Sequence, residues 1–156
     1  ARFRHVLVVH ASDVPRGRGW SPLTWRILEG AKETVVSLLE AEDPVDSGVI
    51  YRQERVEFSG NELLPELQNI LGESTVRLCS EAIAAVAEGR LAARPQEGDP
   101  TWYRRRKPED SRLDPERSLG DQFDLLRVVD NRTYPAFFEI RGRRYILEIH
   151  SSPAQS

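Results

Sequence analysis

The feature that most constrains this chain is a short apolar run that ends in a polar, glycine-containing loop. Residues 6–9 read Val-Leu-Val-Val, and His10 follows them directly. A run this short and this rich in β-branched residues predicts a strand buried on both faces, as in a parallel sheet. We therefore expect His10 at the carboxyl end of a parallel sheet, where α/β proteins place ligands and chemistry. The loop that follows carries Ser12, Arg18 and Gly19, so polar side chains lie on a backbone that can approach a substrate closely.

Periodicity and turn residues predict the remaining secondary structure. The predicted elements are a helix that Ser21 caps, that starts at Pro22 and that ends at Gly30, strands over residues 34–39 and 49–58, a helical region from Ser59 to Gly89 that Gly72 interrupts, a helix after Ser118, and two strands over 134–140 and 143–149. The apolar stripe of the long helical region is expected in the core, and its later members are Val76, Cys79, Ile83 and Val86. Cys79 is accordingly expected to be a buried, inert thiol.

Prolines and charges divide the chain into segments. Residues 1–98 are expected to form a core portion, and residues 99–116 a wrapping linker. Residues 117–150 are expected to form a small helix and β-hairpin subdomain, and residues 151–156 a disordered tail.

Composition argues against several classes of function. The 156 residues carry a net charge of −3, so no basic excess favours a nucleic acid as partner. No apolar run approaches the roughly 20 residues that a membrane-spanning helix needs, and no signal peptide is visible. The single cysteine, Cys79, excludes an internal disulfide and favours a reducing environment, so we expect a cytoplasmic protein.

The loop after His10 has a recognisable spacing. It reads His-x-Ser-x-x-Pro-x-x-Arg-Gly through His10, Ser12, Pro15 and Arg18–Gly19, and Asp46 follows later in an Asp-Ser-Gly sequence. The pattern resembles the 10-formyltetrahydrofolate-dependent formyltransferase family. The family motif is a histidine at a strand end, then a serine, a Leu-Pro pair and an Arg-Gly pair, with a distant acid.

A second signature lies in residues 102–114, which read Trp-Tyr-Arg-Arg-Arg-Lys-Pro-Glu-Asp-Ser-Arg-Leu-Asp. It is similar to the linker after the catalytic domain in enzymes that formylate nucleotide-linked amino sugars. The resemblance covers most of residues 5–149 and implies an α/β fold. We therefore expect the carboxy-terminal part of a formyltransferase-type Rossmann-like domain with a parallel or mixed sheet, followed by a linker, a helix and a β-hairpin.

The family's amino-terminal βαβ half, which forms part of the folate pocket, has no counterpart in this sequence. A fragment, one piece of a split protein and a degenerate gene product are all consistent with this difference. Truncation would leave an apolar sheet edge open, so a homodimer or a companion chain is expected.

The resemblance implies a transfer reaction. A formyl group would move from 10-formyltetrahydrofolate, as co-substrate and without a metal, to the amino group of a nucleotide-linked amino-deoxy sugar used in surface polysaccharide. His10 would be the acid–base group and oxyanion donor, Asp46 would orient it, and the segment Asp46, Ser47, Gly48 would contact folate. The family's third catalytic residue is an asparagine two positions before the histidine. Here that position is Val8, and losing one oxyanion donor costs roughly 3–4 kcal/mol.

Candidates for substrate binding are Ser12, Arg18, Gly19, Arg104, Arg105 and Arg106. Guanidinium groups suit bidentate phosphate contacts, yet a run of charges is also typical of a solvated face. Apart from the motif, His10 is typical of a hydrogen-bonded core histidine, and Asp46 beside a glycine is typical of a solvated turn.

Two other functions fit the same sequence. One is a methionyl-tRNA formyltransferase-like enzyme, whose family carries a further carboxy-terminal β-barrel for which this sequence is too short. The other is a truncated, catalytically inactive domain that binds a nucleotide or a partner chain, and Val8 favours it.

Overall fold

The computed structural model describes residues 3–152. In chain order its elements are β1 (Leu7–His10), β2 (Arg18–Gly19), α1 (Pro22–Leu28), β3 (Glu33–Glu40), β4 (Ile50–Glu57), α2 (Leu64–Ala87), β5 (Trp102–Tyr103), α3 (Phe123–Arg127), β6 (Ala136–Ile140) and β7 (Arg143–Leu147), with 3-10 turns at Pro108–Ser111 and Gly120–Gln122. The α/β class with mixed sheets is confirmed. Of the tail predicted to be disordered, residues 153–156 lie outside the described residues.

The main sheet has the order β1-β3-β4, and both of its pairings are antiparallel. β1 is an edge strand of this sheet, and His10 pairs with Ser37 of β3. β1 was predicted to lie in a parallel sheet, but its observed pairing with β3 is antiparallel. An apolar run reports burial and carries no information on strand direction, which the return of the chain through the short α1 sets here. The parallel pairing is that of β2 with β5.

α1 begins at Pro22 and the chain leaves it at Gly30, as predicted. Proline suits the first helical position because it has no N–H to lose, and Gly30 adopts a left-handed φ of 78°. Ser21 is the N-cap residue, but its side chain makes no capping hydrogen bond, so that detail of the prediction was wrong. Ser21 has a φ of 49°, which differs from the extended backbone typical of a capping serine.

α2 packs on the sheet as one uninterrupted helix, so the predicted break at Gly72 was wrong. The buried members of the main core are Leu23, Ile27, Val36, Leu38, Tyr51, Val56, Phe58, Leu67, Leu78, Ala82 and Val128. The later part of the predicted stripe was placed on the wrong face, because Val76 and Ile83 are 66% and 67% exposed. From the buried Leu67 the buried face continues through Leu78 and its helical neighbours, and Cys79 at its margin is only partly buried.

The start of α2 lies five residues after the predicted cap. Glu62 does accept the backbone N–H groups of Ser59 and Gly60, at 2.5 and 3.0 Å. The helix itself begins at Leu64, and Glu66 accepts the N–H of Leu63 at 2.7 Å. Two acidic side chains thus cap successive turns of the chain, and the second one marks the helix start.

The carboxy-terminal part of the described chain has a core of its own, formed by Leu113, Leu126, Val129 and Ala136. The predicted hairpin is confirmed, since β6 and β7 pair in antiparallel register around Arg141 and Gly142. Both turn residues have positive φ values, 53° and 76°, which fit the turn type that two-residue hairpins prefer.

Candidate active site

His10 ends β1 with its imidazole buried, the residue being only 7% exposed. Nε2 lies 2.8 Å from the carbonyl oxygen of Gly17. Because a carbonyl oxygen only accepts, Nε2 must donate in this contact. Nδ1 lies 3.5 Å from Oδ1 of Asp46. His10 therefore has one nitrogen held by the backbone and the other facing a carboxylate, the arrangement in which a histidine can pass a proton.

Asp46 comes from the loop between β3 and β4, and the structure brings it to His10 from 36 positions along the chain. Its Oδ2 accepts the backbone N–H of Gly19 at 2.9 Å. Its backbone has a φ of 59°, a left-handed conformation that is uncommon for a residue with a side chain. Asp46 is 8% exposed, so it is not the solvated turn aspartate that its neighbouring glycine would suggest.

Two predicted glycines lie where neighbouring backbone leaves no room for a side chain. A Cβ on Gly19 would come within 2.6 Å of the carbonyl oxygen of Tyr103. A Cβ on Gly48 would clash with the carbonyl oxygen of Glu40. These contacts hold the His10 loop against β5 and the Asp46 loop against the end of β3. Ser47 closes the turn of the second loop by donating its N–H to Pro44.

Val8 gives the site no polar atom at the position two residues before His10. Its side chain is half-buried and packs against a small cluster formed by Val14, Leu39 and Ile50. Beside it lies an open cavity of about 300 Å³, also lined by Asp46 and by Ala41, Glu42, Asp43 and Val45. An oxyanion in this space would need a donor other than residue 8.

Ser12 is 2% exposed, and its carbonyl oxygen accepts the hydroxyl of Ser37 at 2.6 Å. Its own hydroxyl has no hydrogen-bond partner within residues 3–152. Ser12 and Gly17 border a second cavity of about 620 Å³. The other residues around that cavity are Asp13, Arg16, Arg26, Glu29, Glu33, Thr34, Val35, Arg55, Thr101, Trp102 and Tyr103. The pKa of the Tyr103 hydroxyl is raised to about 12 by burial and by its hydrogen bond to Glu29.

Gln96 is a part of the site that the sequence did not indicate. Its side-chain amide donates to the carbonyl oxygens of Asp46 and Gly48, both at 2.8 Å. Its Oε1 accepts from Arg18, at 3.2 Å from Nε and 2.6 Å from Nη2. A lone glutamine among prolines and charged residues carries no motif, so only the folded arrangement reveals these contacts. Arg18 is thereby engaged inside the protein, and its guanidinium carbon also lies 5.6 Å from the ring centre of Trp102.

The three arginines of the 104–106 run have different surroundings. Arg104 forms a two-pronged ion pair with Asp110, at 2.5 and 2.8 Å, and lies 4.7 Å from the ring centre of Trp25. The Arg104 hydrogen bonds lower the pKa of Asp110 to about 2. Arg105 lies 5.0 Å from the ring centre of Trp20, which is 56% exposed.

Arg106 is 8% exposed and donates to the carbonyl oxygen of Val128 and to the hydroxyl of Ser111, both at 3.0 Å. Burial lowers the pKa of its guanidinium. These bonds connect the linker to the end of α3. Arg106 therefore stabilises the structure, and its two terminal nitrogens bind protein groups inside it. Of the run, Arg105 is the member whose guanidinium has no carboxylate partner within residues 3–152.

Within residues 3–152, no group of three or more His, Cys, Asp or Glu side chains is arranged to hold a metal ion. None of the helices described is long and apolar enough to cross a bilayer.

The chain is similar to known formyltransferases. It is 33% identical, over 142 residues, to the methionyl-tRNA formyltransferase of Sorangium cellulosum. Its structure matches methionyl-tRNA formyltransferase from Clostridium thermocellum with a TM-score of 0.75, at 27% identity over 97% of this chain. In sequence and in fold the chain is therefore similar to part of each of these formyltransferases. No family model matches the chain.

A third match gives the fold only. The formyltransferase PseJ from Anoxybacillus kamchatkensis was solved in complex with UDP-4,6-dideoxy-4-formamido-L-AltNAc and tetrahydrofolate. The TM-score is 0.58 at 22% identity, over 67% of this chain and 54% of PseJ. The chain described here spans 45% of the length of the Sorangium protein and 65% of that of the Clostridium protein, so it corresponds to part of each.

Proposed function

We propose that this chain carries the proton-transfer part of an N-formyltransferase site that uses 10-formyltetrahydrofolate. The observation that carries the proposal is the buried contact between His10 Nδ1 and Asp46 Oδ1 at 3.5 Å. A histidine at the end of a strand, beside a carboxylate that itself lines an open cavity, is suited to moving protons near neutral pH. The tetrahydrofolate bound to PseJ supports the choice of co-substrate.

The reaction balances with these groups. The acceptor amine attacks the formyl carbon, and the carbonyl electrons move to oxygen. The new C–N bond forms, the bond from the formyl carbon to the folate nitrogen breaks, and that nitrogen takes up a proton. His10 would take the proton that the amine loses and return it to the leaving nitrogen, while Asp46 holds the ring and balances its charge.

For the acceptor we propose a nucleotide-linked amino-deoxy sugar. Its diphosphate would be met by Arg105, which is not committed to a carboxylate among residues 3–152. Ser12 and Gly19 would line its path to His10. The linker residues 102–114 and the ligand of PseJ support this choice.

Methionyl-tRNA is the second candidate acceptor. It is favoured by the names of the Sorangium and Clostridium relatives, which are both methionyl-tRNA formyltransferases. The net charge of −3 argues against it, because binding of a nucleic acid draws on basic surface.

The test uses the purified, full-length protein. Release of tetrahydrofolate from 10-formyltetrahydrofolate is followed with nucleotide-linked amino sugars and with methionyl-tRNA as acceptors. Turnover with an amino sugar supports the proposal, and turnover with methionyl-tRNA alone selects the second candidate. If neither acceptor reacts and folate does not bind, the domain is a non-catalytic one.

We also place the protein in the cytoplasm, where its folate co-substrate and a reduced Cys79 would both be found. The open edge of β1, with Val6 51% exposed beside it, would be covered by a second copy or a companion chain. Sedimentation of the full-length protein tests this, since a monomer with no partner contradicts it.

A further inference from the structure

Gln96 joins three parts of the molecule through one side chain. Its amide nitrogen donates to two carbonyl oxygens of the loop that carries Asp46, and its oxygen accepts two N–H groups of Arg18. An amide can donate two hydrogen bonds and accept two, whereas a carboxylate has no N–H, a guanidinium cannot accept, and a hydroxyl or a neutral imidazole has only one proton to donate. A rotated amide would turn its N–H groups towards the Arg18 donors, so the orientation is fixed by the partners.

The loop that Gln96 holds is restrained at one residue from two sides. Asp46 has a left-handed backbone with a φ of 59°, a conformation that is uncommon for residues with a side chain, although aspartate adopts it more readily than most. Such conformations persist where the surroundings over-determine them. Here one restraint is the N–H of Gly19 on Oδ2, and another is Gln96 on the backbone carbonyl of the same residue.

We propose that Gln96 is a positioning residue that fixes the Asp46 carboxylate beside His10. It acts on the backbone of the loop and touches no reacting group. Arg18 belongs to the same device, because it orients the Gln96 amide from β2, the strand that also supplies the Gly19 N–H. The consequence for rate rests on the proposed function, but the geometry that Gln96 imposes can be measured without it.

The first measurement is hydrogen exchange at the Gly19 amide, which reports the bond to Asp46 Oδ2 directly. In Gln96→Leu we expect this amide to exchange about tenfold faster, because the carboxylate loses its fixed place. Amides of the central strand β3, such as that of Leu38, should keep their protection. Gln96→Glu is the second variant, since it retains length and the Arg18 contact but sets a carboxylate against two carbonyl oxygens.

Gln122 supplies a matched control. Its amide donates to the carbonyl oxygens of Asp114, Arg117 and Ser118, and its oxygen accepts the Asp114 N–H. Gln122→Leu thus removes the same kind of clamp from the carboxy-terminal part of the chain, and Gly19 exchange should stay at its wild-type rate. Unchanged Gly19 exchange in both Gln96 variants overturns the inference, as does an equal increase in Gln122→Leu.

The second measurement is kinetic and uses the full-length protein. Because a misplaced catalytic group slows the chemical step by up to about 100-fold, we expect Gln96→Leu to lower kcat by about 10- to 100-fold. The acceptor KM should stay within about twofold, because the inference gives Gln96 only protein partners and no contact with the acceptor. A rise in KM at constant kcat contradicts a positioning role. If wild type has no activity, the proposed function fails while the exchange measurement still decides the role of Gln96.

Discussion

Asp46 and Asp110 are both held by a backbone N–H, but their side-chain partners differ. Asp46 accepts the Gly19 N–H and faces a nitrogen of His10. Asp110 accepts the Lys107 N–H at 2.7 Å and pairs with both terminal nitrogens of Arg104. A guanidinium keeps its proton at any ordinary pH, whereas an imidazole exchanges one near neutrality. The Asp46 pair can therefore take part in proton transfer, and the Asp110 pair can only stabilise structure.

The surroundings reinforce this difference. Beside Asp46 lies a cavity of about 300 Å³, so a substrate can come close to the pair. Beside Asp110, Arg106 fills the interior and bonds to Val128 and Ser111, so that region is closed by its own side chains. A charged cluster that satisfies its own partners is part of the scaffold, and one that leaves a space beside it is a candidate for chemistry.

The strongest test of the comparison is His10→Gln. Glutamine can still donate to the Gly17 carbonyl, so the fold should hold, but it cannot accept and return a proton. We expect kcat for formyl transfer to fall by about 10³-fold, within the range that acid–base groups contribute. His150→Gln, at an exposed histidine in the carboxy-terminal part, is the control and should keep wild-type kcat. An equal loss in both variants would remove the distinction between the two regions.

The second test restores a donor at residue 8. Val8→Asn adds an amide beside the same cavity as Asp46, and we expect kcat to rise by up to about 100-fold. Val8→Ala adds no donor and should give no gain. The asparagine costs some packing against Leu39 and Ile50, so thermal unfolding is measured in parallel. No gain in a well-folded Val8→Asn protein would mean that another group already stabilises the oxyanion.

The third test concerns the Asp110 side of the comparison. Asp110→Asn should lower the free energy of unfolding at pH 7 by about 1–2 kcal/mol. This value is smaller than the pKa shift of Asp110 alone would give, because Arg104 is exposed and solvent weakens the ion pair. Because the pKa of Asp110 is lowered to about 2 in the folded protein, its contribution is complete above the ordinary value of 3.8. It is lost as the pH falls from there through 2. Urea unfolding of both proteins at several pH values should show the difference shrinking below pH 4, with kcat at neutral pH unchanged.

The sequence located the elements of the site that are local in the chain. The spacing from His10 to Gly19 and the Asp-Ser-Gly turn at Asp46 are short patterns, because each reflects the geometry of one loop. The length of α1 and the β6–β7 hairpin follow from proline and glycine positions in the same way. These features depend on neighbours a few residues away, which a sequence shows directly.

What the sequence did not show depends on partners far away in the chain. Gln96 acquires its role from carbonyl groups 50 and 48 positions earlier, and no pattern links them. The antiparallel direction of β3 beside β1 depends on how the intervening chain returns. Arg104 and Arg106 are neighbours of Arg105 in sequence, but only the folded chain shows that their terminal nitrogens already have protein partners.

The smallest expected effect separates Arg105 from those two neighbours. Arg105 lies over the exposed ring of Trp20 and is paired with no carboxylate within residues 3–152. Arg105→Ala should raise the KM for a nucleotide-linked acceptor by about two- to fivefold, the value of one exposed charge contact, and leave kcat unchanged. Arg143→Ala is the control, because that guanidinium lies 5.4 Å from the ring centre of Tyr145 in the hairpin. Two results would mean that the arginines of the linker run serve only the structure and that the acceptor phosphates are bound elsewhere. One is an equal rise in KM in both variants, and the other is a wild-type KM that does not change as the salt concentration rises.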